Sequence, residues 1–280
     1  MRPSVLWAGA VSLLLSTSAY AQRITPVEGR RSVSASFLTV DAAGQSEDSD
    51  FVETEGFESF NASLALSASP PQAPNPRLDA TAGGSQSSEM SERRIRASLS
   101  AWASGTAVDA SARGQGTSNA DMYLTFELNR RARYRAFVTV SAWSNASNGG
   151  QSFGGVSTLL HLANLESGVP VLSFDVSPSE SDTEELAGWL PAGPYTLQGD
   201  VSASVDARGP ASGGVSGAWS MDLLLYCSSD FDANGVVDVM DAAAFMAYWG
   251  SGSLWADIDG NGVVNQVDHD VFLLAYGRGC

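Results

Sequence analysis

Alternation of apolar and polar residues dominates most of the chain. Between residues 22 and 226 it recurs in short stretches that are separated by Gly, Ser, Asn and Pro turns. Such period-two patterns are typical of half-buried β-strands. They predict nine strands, over residues 33–40, 59–67, 95–103, 122–128, 134–143, 157–162, 171–176, 195–205 and 218–226. No long helical pattern interrupts them, so we expect an antiparallel β-sandwich of the jelly-roll kind.

Two segments interrupt this pattern. Residues 41–58 are acidic and rich in Ser, and residues 69–91 are rich in Pro, Gly and Ser. Both are poor material for a hydrophobic core, so we predict two long exposed loops. Either loop could bind a ligand, or both could be surface excursions without a function.

The last part of the chain, residues 227–280, follows a different pattern. One twelve-residue sequence occurs twice, 27 residues apart, beginning at Asp230 and at Asp257. Each copy is followed by a segment that we predict to be a helix ending at a glycine, because glycine is common just after a helix C-terminus. These segments are 242–249 before Gly250 and 269–276 before Gly277.

Each repeat has the ligand spacing of a calcium loop. Calcium takes six to eight oxygen ligands, which a twelve-residue loop supplies from positions 1, 3, 5, 7, 9 and 12. In the first loop these positions hold Asp230, Asp232, Asn234, the Val236 carbonyl, Asp238 and Asp241. In the second loop they hold Asp257, Asp259, Asn261, the Val263 carbonyl, Asn265 and Asp268. Position 6, where the chain turns sharply, is Gly235 or Gly262. The pattern predicts two calcium ions.

The order of loop, exit helix, linker, loop and exit helix, with no entering helix, resembles the bacterial dockerin type I family. The resemblance covers residues 227–280. It implies a small calcium-folded module that joins a secreted protein to a cohesin-like or other surface protein. At loop positions 10 and 11, where cohesin-binding dockerins commonly carry small polar residues, this chain departs from the family. Those positions hold Val239 and Met240 in the first loop and Gln266 and Val267 in the second.

The only two cysteines, Cys227 and Cys280, bracket this module. A module of this size has a small core and usually needs a metal or a disulfide to fold. We therefore expect a Cys227–Cys280 disulfide, with two unpaired thiols as the alternative.

The N-terminus predicts export. Residues 1–21 contain a short apolar segment and end in Ala19-Tyr20-Ala21, a small-x-small pattern typical of signal-peptidase sites. We expect cleavage after Ala21 and an extracellular or cell-surface location. The formal net charge of -16 argues against nucleic acid and anionic membranes as partners, and we expect no membrane insertion. The predicted domains are the signal peptide (1–21), the sandwich (22–226) and the module (227–280).

Catalytic signals are weak. Gly150 to Gly154 fits G-x-S-x-G around Ser152, but the predicted surroundings lack the helix that this nucleophile motif requires. His161 is better explained as a half-buried strand residue. Seven carboxylates could serve a glycosidase, but none is distinguished from the others: Glu53, Glu55, Glu58, Glu127, Asp175, Glu184 and Glu185. We predict no catalytic residue.

Aromatic residues leave one further possibility open. Four tryptophans of the sandwich could stack on sugars or could belong to its core: Trp102, Trp143, Trp189 and Trp219. The sequence favours a non-catalytic exported protein whose dockerin-like module binds two calcium ions and mediates attachment or assembly. The alternative is a polysaccharide-acting hydrolase or a carbohydrate-binding protein that is carried by a dockerin.

Overall fold

A computed structural model describes residues 23–41, 44–68, 78–146, 151–176 and 178–278. The predicted signal peptide lies outside these residues. The strands are β1 (Ile24–Asp41), β2 (Gly44–Glu55), β3 (Phe60–Ala68), β4 (Asp79–Ser91), β5 (Arg94–Ala107), β6 (Arg113–Leu128), β7 (Ala132–Ala146), β8 (Gln151–Asn164), β9 (Pro170–Val176), β10 (Glu180–Leu190), β11 (Gly193–Arg208) and β12 (Ala211–Tyr226). They are followed by α1 (Val239–Gly250), a 3₁₀ helix (Leu254–Ala256) and α2 (Gln266–Arg278).

The strands form two antiparallel six-stranded sheets. The first sheet has the order β2-β1-β6-β11-β8-β9, and the second has the order β10-β7-β12-β5-β4-β3. From β5 onward the chain passes between the sheets at every connection except the hairpin β8-β9, which is the connectivity of a jelly roll, and the hairpins β1-β2 and β3-β4 are added at one side. The β-sandwich and all nine predicted strands are confirmed.

The core lies between the inward-facing residues of both sheets. In β5, Ile95 and Leu99 are buried and alternate with outward polar residues, which is the pattern that predicted the strand. Trp219 of β12 is the bulkiest fully buried side chain. It packs against Gly199 of the opposite sheet, where an added Cβ would come within 1.9 Å of the indole. Glycine at that position therefore lets the two sheets approach each other.

The two predicted loops were wrong over most of their length. Residues 44–55 form β2, which pairs with β1, and residues 79–91 form β4, which pairs with β3 and β5. Residues 69–77 lie outside the described part of the chain. A third missed strand, β10, pairs with β7 and contains Glu184 and Glu185. Strands β2 and β10 are at sheet edges and largely exposed, so their polar sequences carried no hydrophobic signal.

Both predicted helices are confirmed, and each is a few residues longer than predicted. They follow the irregular segment that begins at Cys227, directly after the last strand ends at Tyr226. Among the described residues, no helix has the length and apolar character needed to cross a membrane.

Candidate metal centre

The first loop folds around its own carboxylates. Asp230, at position 1, accepts a hydrogen bond from the Gly235 N–H at 3.0 Å. Asp241, at position 12, accepts from the Asp232 N–H at 3.0 Å and from the Asp238 N–H at 2.7 Å. The last carboxylate is thus tied to positions 3 and 9, which closes the loop and starts helix α1.

The second loop repeats these contacts at equivalent positions. Asp257 accepts from the Gly262 N–H at 3.1 Å. Asp268 accepts from the Asp259 N–H at 3.2 Å and from the Asn265 N–H at 2.9 Å. The two loops therefore share one backbone design and not merely one sequence pattern.

Three carboxylates converge in each loop. Asp230, Asp232 and Asp241 each offer an oxygen that lies within 4.8 Å of the others, and the second loop has an equivalent cluster of Asp257, Asp259 and Asp268. In each cluster, the carboxylates at positions 1 and 12 are buried and the one at position 3 is exposed. A set of three oxygen donors with three negative charges fits a hard divalent cation.

The other predicted side-chain ligands lie in the same loops but make turn and cap hydrogen bonds. The Asn234 Oδ1 accepts from the Val236 N–H at 2.7 Å, and the Asp238 Oδ1 accepts from the Met240 N–H at 2.7 Å. Asp238 is the N-cap of α1 and forms a capping box with Asp241. The second loop makes the equivalent contacts. The Asn261 Oδ1 accepts from the Val263 N–H, and the Asn265 Oδ1 accepts from the Val267 N–H. Coordination by these residues and by the Val236 and Val263 carbonyls stays a prediction.

Electrostatics within the first cluster favour a cation. Burial raises the pKa of Asp230 above its ordinary value, and the nearby charges of Asp241 and Asp232 raise it further. Hydrogen bonds from the loop backbone act in the opposite direction. A divalent ion would offset the mutual repulsion of these carboxylates.

The loop backbone needs left-handed residues at two positions. Gly235 and Gly262, at position 6, have φ of +89° and +82°. At position 4 the second loop has Gly260 with φ of +79°, whereas the first loop has Ala233 with φ of 61°. Since left-handed backbone is costly for residues with a Cβ, the first loop contains a strained alanine that the second loop avoids.

The two repeats pack on each other through equivalent phenylalanines. Phe245 of α1 and Phe272 of α2 stack with ring centroids 4.1 Å apart. Phe231, at position 2 of the first loop, contacts both rings edge-on. Ala256 and Ile258 complete the group of buried residues. This core is small and lies directly beneath the two loops.

An arginine from the sandwich holds the first loop. The Arg133 Nη1, on β7, donates to the Asp230 carbonyl at 3.1 Å and to the Phe231 carbonyl at 2.6 Å. Its guanidinium lies 4.5 Å from the centroid of the Phe231 ring and 5.4 Å from that of Trp255. Burial lowers the pKa of Arg133, and the negative charge of Asp230 partly offsets this effect.

A second arginine holds the second loop. The Arg131 Nη1 donates to the Asp257 carbonyl and lies 3.7 Å from the Asp257 Oδ1. The Arg131 guanidinium stacks on Trp189 of β10, 4.6 Å from its centroid, and Trp189 also packs against the module's core. The link between the last strand and the first loop has only three residues, 227–229, which is too short for a free linker and predicts that the module packs directly against the sandwich. The two arginines that make this contact were not predicted.

The four tryptophans of the sandwich separate into three environments. Trp219 is buried in the core, and Trp189 contacts the module, so neither is free to stack on a sugar. Trp102 and Trp143 are exposed on the outer face of the second sheet. The sequence could not distinguish these environments because each depends on the partner strands.

Ser152 and His161 do not form a catalytic pair. Both lie on β8, nine residues apart, so they face opposite sides of the sheet. Ser152 points toward Gly213 of the second sheet, and its hydroxyl is buried. His161 is half-buried, as predicted. The nucleophile motif thus has no partner base, although Gly150 itself lies outside the described residues.

The seven candidate carboxylates lie on four strands, β2, β6, β9 and β10, and on the turn between β2 and β3. Glu53 pairs with Arg30, and Glu185 pairs with Arg135. Asp175 and Glu184 line a depression of about 570 Å³ between β9 and β10. Both are exposed on edge strands.

Cys280 lies outside the described residues. The predicted Cys227–Cys280 disulfide therefore stays a prediction.

No family model and no curated protein matches the chain. Among solved structures, a carbohydrate-binding module in complex with β-1,4-galactotriose aligns at 13% identity, over 58% of this chain and 87% of that chain, with a TM-score of 0.20. The structure of broad bean stain virus aligns at 8% identity over 80% and 91%, with a TM-score of 0.19. Infectious bursal disease virus aligns at 11% identity over 74% and 57%, with a TM-score of 0.18. Similarity this low supports no functional assignment.

Proposed function

We propose that the chain is an exported, non-catalytic protein whose dockerin-like module, residues 227–280, binds two calcium ions and attaches the sandwich to a surface protein. The observation that carries this proposal is the pair of three-aspartate clusters, which have matching hydrogen bonds in both loops. Chance acidic turns would not be expected to share the bonds from position 6 to position 1 and from positions 3 and 9 to position 12.

Calcium would organise the module by neutralising the buried aspartates. Each ion would be held by the three clustered carboxylates, with the remaining ligands supplied from the same loop. Positions 1 and 12 are far apart in the chain, so an ion that joins them closes the loop onto the first turn of its helix. Binding energy and folding energy of the module are then the same quantity.

Exposed apolar residues on the two helices supply a surface for a partner protein. Met240 and Met246 of α1 are 60% and 45% exposed, and Val267 and Leu273 occupy the equivalent positions of α2 at 52% and 51%. Exposed apolar patches mark sites of protein interaction. Met240 and Val267 occupy loop position 11, where the module departs from cohesin-binding dockerins, so a partner with a more apolar surface is expected.

Calorimetric titration of the chelator-stripped chain with calcium tests the metal sites. We expect a stoichiometry of two, which falls to one in Asp230→Ala/Asp241→Ala and in Asp257→Ala/Asp268→Ala. The exposed Asp48→Ala provides a control with two sites. A stoichiometry of two in either double variant would refute the assignment of that loop.

Attachment is tested by capture of extracellular and envelope proteins from the source organism on the immobilised chain. We expect a protein that is held in calcium, released by chelator and lost with Met240→Glu/Leu273→Glu. If calcium binds and this double variant captures the same proteins as the parent chain, the helices are not the docking surface. If calcium binds and nothing is captured, the module is a calcium-stabilised domain that packs on the sandwich and has no partner protein.

A further inference from the structure

The outer face of the second sheet contains a broad area without charge. Across its four central strands, β4, β5, β12 and β7, the outward positions of residues 81–87, 98–104, 214–220 and 139–145 are Ser, Thr, Gly, Ala and Asn, with two tryptophans. None of these outward residues is ionisable, although the chain as a whole carries a net charge of -16. We refer to this area as the neutral face.

The two tryptophans lie in one row of the neutral face. Trp102 on β5 and Trp143 on β7 are both registered opposite Ser216 of the intervening strand β12. Their backbones are therefore two strand spacings, or about 10 Å, apart. The side chains are 37% and 50% exposed. Such large aromatic exposure is unusual on the central strands of a sheet and indicates a binding surface.

A glycine beside Trp102 lets its indole approach the sheet. A Cβ at Gly83, which is paired with Trp102, would lie 2.6 Å from the indole Cζ2. At Gly214, beside Trp143, a Cβ would lie 3.6 Å from the Trp143 Cζ3, which is an ordinary contact. The Trp102 ring thus lies over a position that any other residue would obstruct. This arrangement holds a ring against the strands and leaves its outer surface to solvent.

A shallow depression of about 450 Å³ lies between the neutral face and Phe137. It is lined by hydroxyl residues on five strands, among them Ser98, Ser220 and Thr139. Its far end also carries Glu89 and the Arg96–Asp222 ion pair, so the neutral face ends there. Phe137 is 46% exposed and lies six residues from Trp143 on the same strand, about 20 Å along it. Exposed rings therefore flank a strip of hydroxyl groups that an elongated ligand could follow.

We propose that the neutral face binds a neutral polysaccharide chain. The apolar C–H faces of sugar rings stack on exposed aromatic rings, and the hydroxyl groups of a sugar exchange hydrogen bonds with Ser and Thr side chains. An anionic glycan would find no basic side chain among the outward residues of the neutral face, and the net negative charge of the protein would repel it. The long, open shape favours the interior of a chain over a single sugar.

The test is affinity electrophoresis of the full chain in gels that contain one soluble polysaccharide. The neutral panel is hydroxyethylcellulose, β-1,4-galactan, β-mannan and xyloglucan, and the anionic panel is polygalacturonate and alginate. We expect retardation by at least one neutral polysaccharide and by neither anionic one. Trp143→Ala should weaken the affinity about tenfold, and Trp102→Phe should weaken it less than Trp102→Ala.

Phe153→Ala provides a matched control, since Phe153 is 61% exposed on β8 of the other sheet. The melting temperature of each variant is measured, and only variants that melt at the temperature of the parent chain are compared. A loss of binding then cannot be explained by a loss of folding. Retardation should persist in chelator, which separates this proposal from the function of the calcium module. The proposal is overturned if no neutral polysaccharide retards the chain, or if Trp143→Ala binds as tightly as Phe153→Ala. Concentration-dependent self-association that Trp143→Ala abolishes, without glycan binding, would instead assign the face to a second copy of the chain.

Discussion

Replacing Arg133 with alanine should release the calcium module from the sandwich. The guanidinium donates to the carbonyls of Asp230 and Phe231 and lies over the rings of Phe231 and Trp255. Alanine removes all of these contacts at once and leaves two backbone carbonyls of the first loop without this donor. The carboxylates that we propose to bind calcium are unchanged, so the substitution separates docking from the proposed metal binding.

The magnitude follows from the contacts. Hydrogen bonds to a charged group contribute about 1.5 to 3 kcal/mol each, but a single nitrogen supplies both here, so we count about 2 kcal/mol for the pair. Contacts with two aromatic rings add about 1 kcal/mol. Burial of the charge, which lowers the pKa of Arg133, offsets part of this sum. We expect a net loss of about 2 kcal/mol.

Hydrogen exchange in saturating calcium measures this loss. Amides of α1 and α2 should exchange roughly 30-fold faster in Arg133→Ala, since about 1.4 kcal/mol corresponds to a factor of ten. Arg135→Ala is the matched control, because Arg135 faces outward on the same strand but pairs with Glu185. Calcium stoichiometry should stay the same in both variants. Equal exchange in the helices of the two variants would refute the docking role of Arg133.

Four further substitutions test local strain and charge. Ala233→Gly should raise the melting temperature of the module by relieving left-handed strain of about 1 kcal/mol, whereas Gly260→Ala should lower it, because its Cβ would come within 2.9 Å of an arginine nitrogen. Burial, and then a neighbouring carboxylate, raises the pKa of Asp200, so stability falls as pH rises through that raised pKa. Asp200→Asn should therefore melt higher at neutral pH, with no gain below pH of about 3 in an acid titration of the melting temperature. Hydrogen bonding to Arg113, with other contributions, lowers the pKa of Asp206 to about 2. The stabilisation that Asp206 gives to the folded chain is therefore present above the ordinary aspartate pKa and is lost as pH falls toward about 2. Asp206→Asn should lose about 1 kcal/mol at neutral pH, after allowance for solvent screening, and nothing at pH of about 2, as measured by urea unfolding.

Central strands could be predicted from the sequence because burial on one side imposes alternation. In β5 and β12 the inward residues are apolar, and the period-two pattern is visible without any partner. The edge strands β2 and β10 have no such signal, because they contribute little to the core and are held by pairing with β1 and β7. Strand β4 is not at a sheet edge, but it contains Gly83 and Gly84, where neighbouring groups approach the backbone closely. Its glycine- and serine-rich sequence therefore resembled that of a loop.

The two acidic loops were predictable for the opposite reason. Every predicted ligand position is local, so spacing alone placed the clusters, and the three aspartates of each loop do converge. The short link at residues 227–229 indicated that the module packs on the sandwich, but the contacting residues were not predictable, because they lie about a hundred positions away. Arg133 and Trp189 lie on separate strands and meet the first loop and the module's core only in the folded chain.

The two proposed binding surfaces lie side by side along one strand. Trp143, at the far end of the glycan path, is ten residues or about 33 Å along β7 from Arg133 beneath the module, and Phe137, at the near end, is four residues or about 13 Å from it. A partner on the helices and a polysaccharide along the neutral face would therefore occupy the chain together without competing. Because Arg131 and Arg133 fix the module against the sandwich, the two ligands would be held at a constant separation. If both proposals hold, the chain is a rigid bridge between a protein and a glycan, and its short link at residues 227–229 is a requirement of that role.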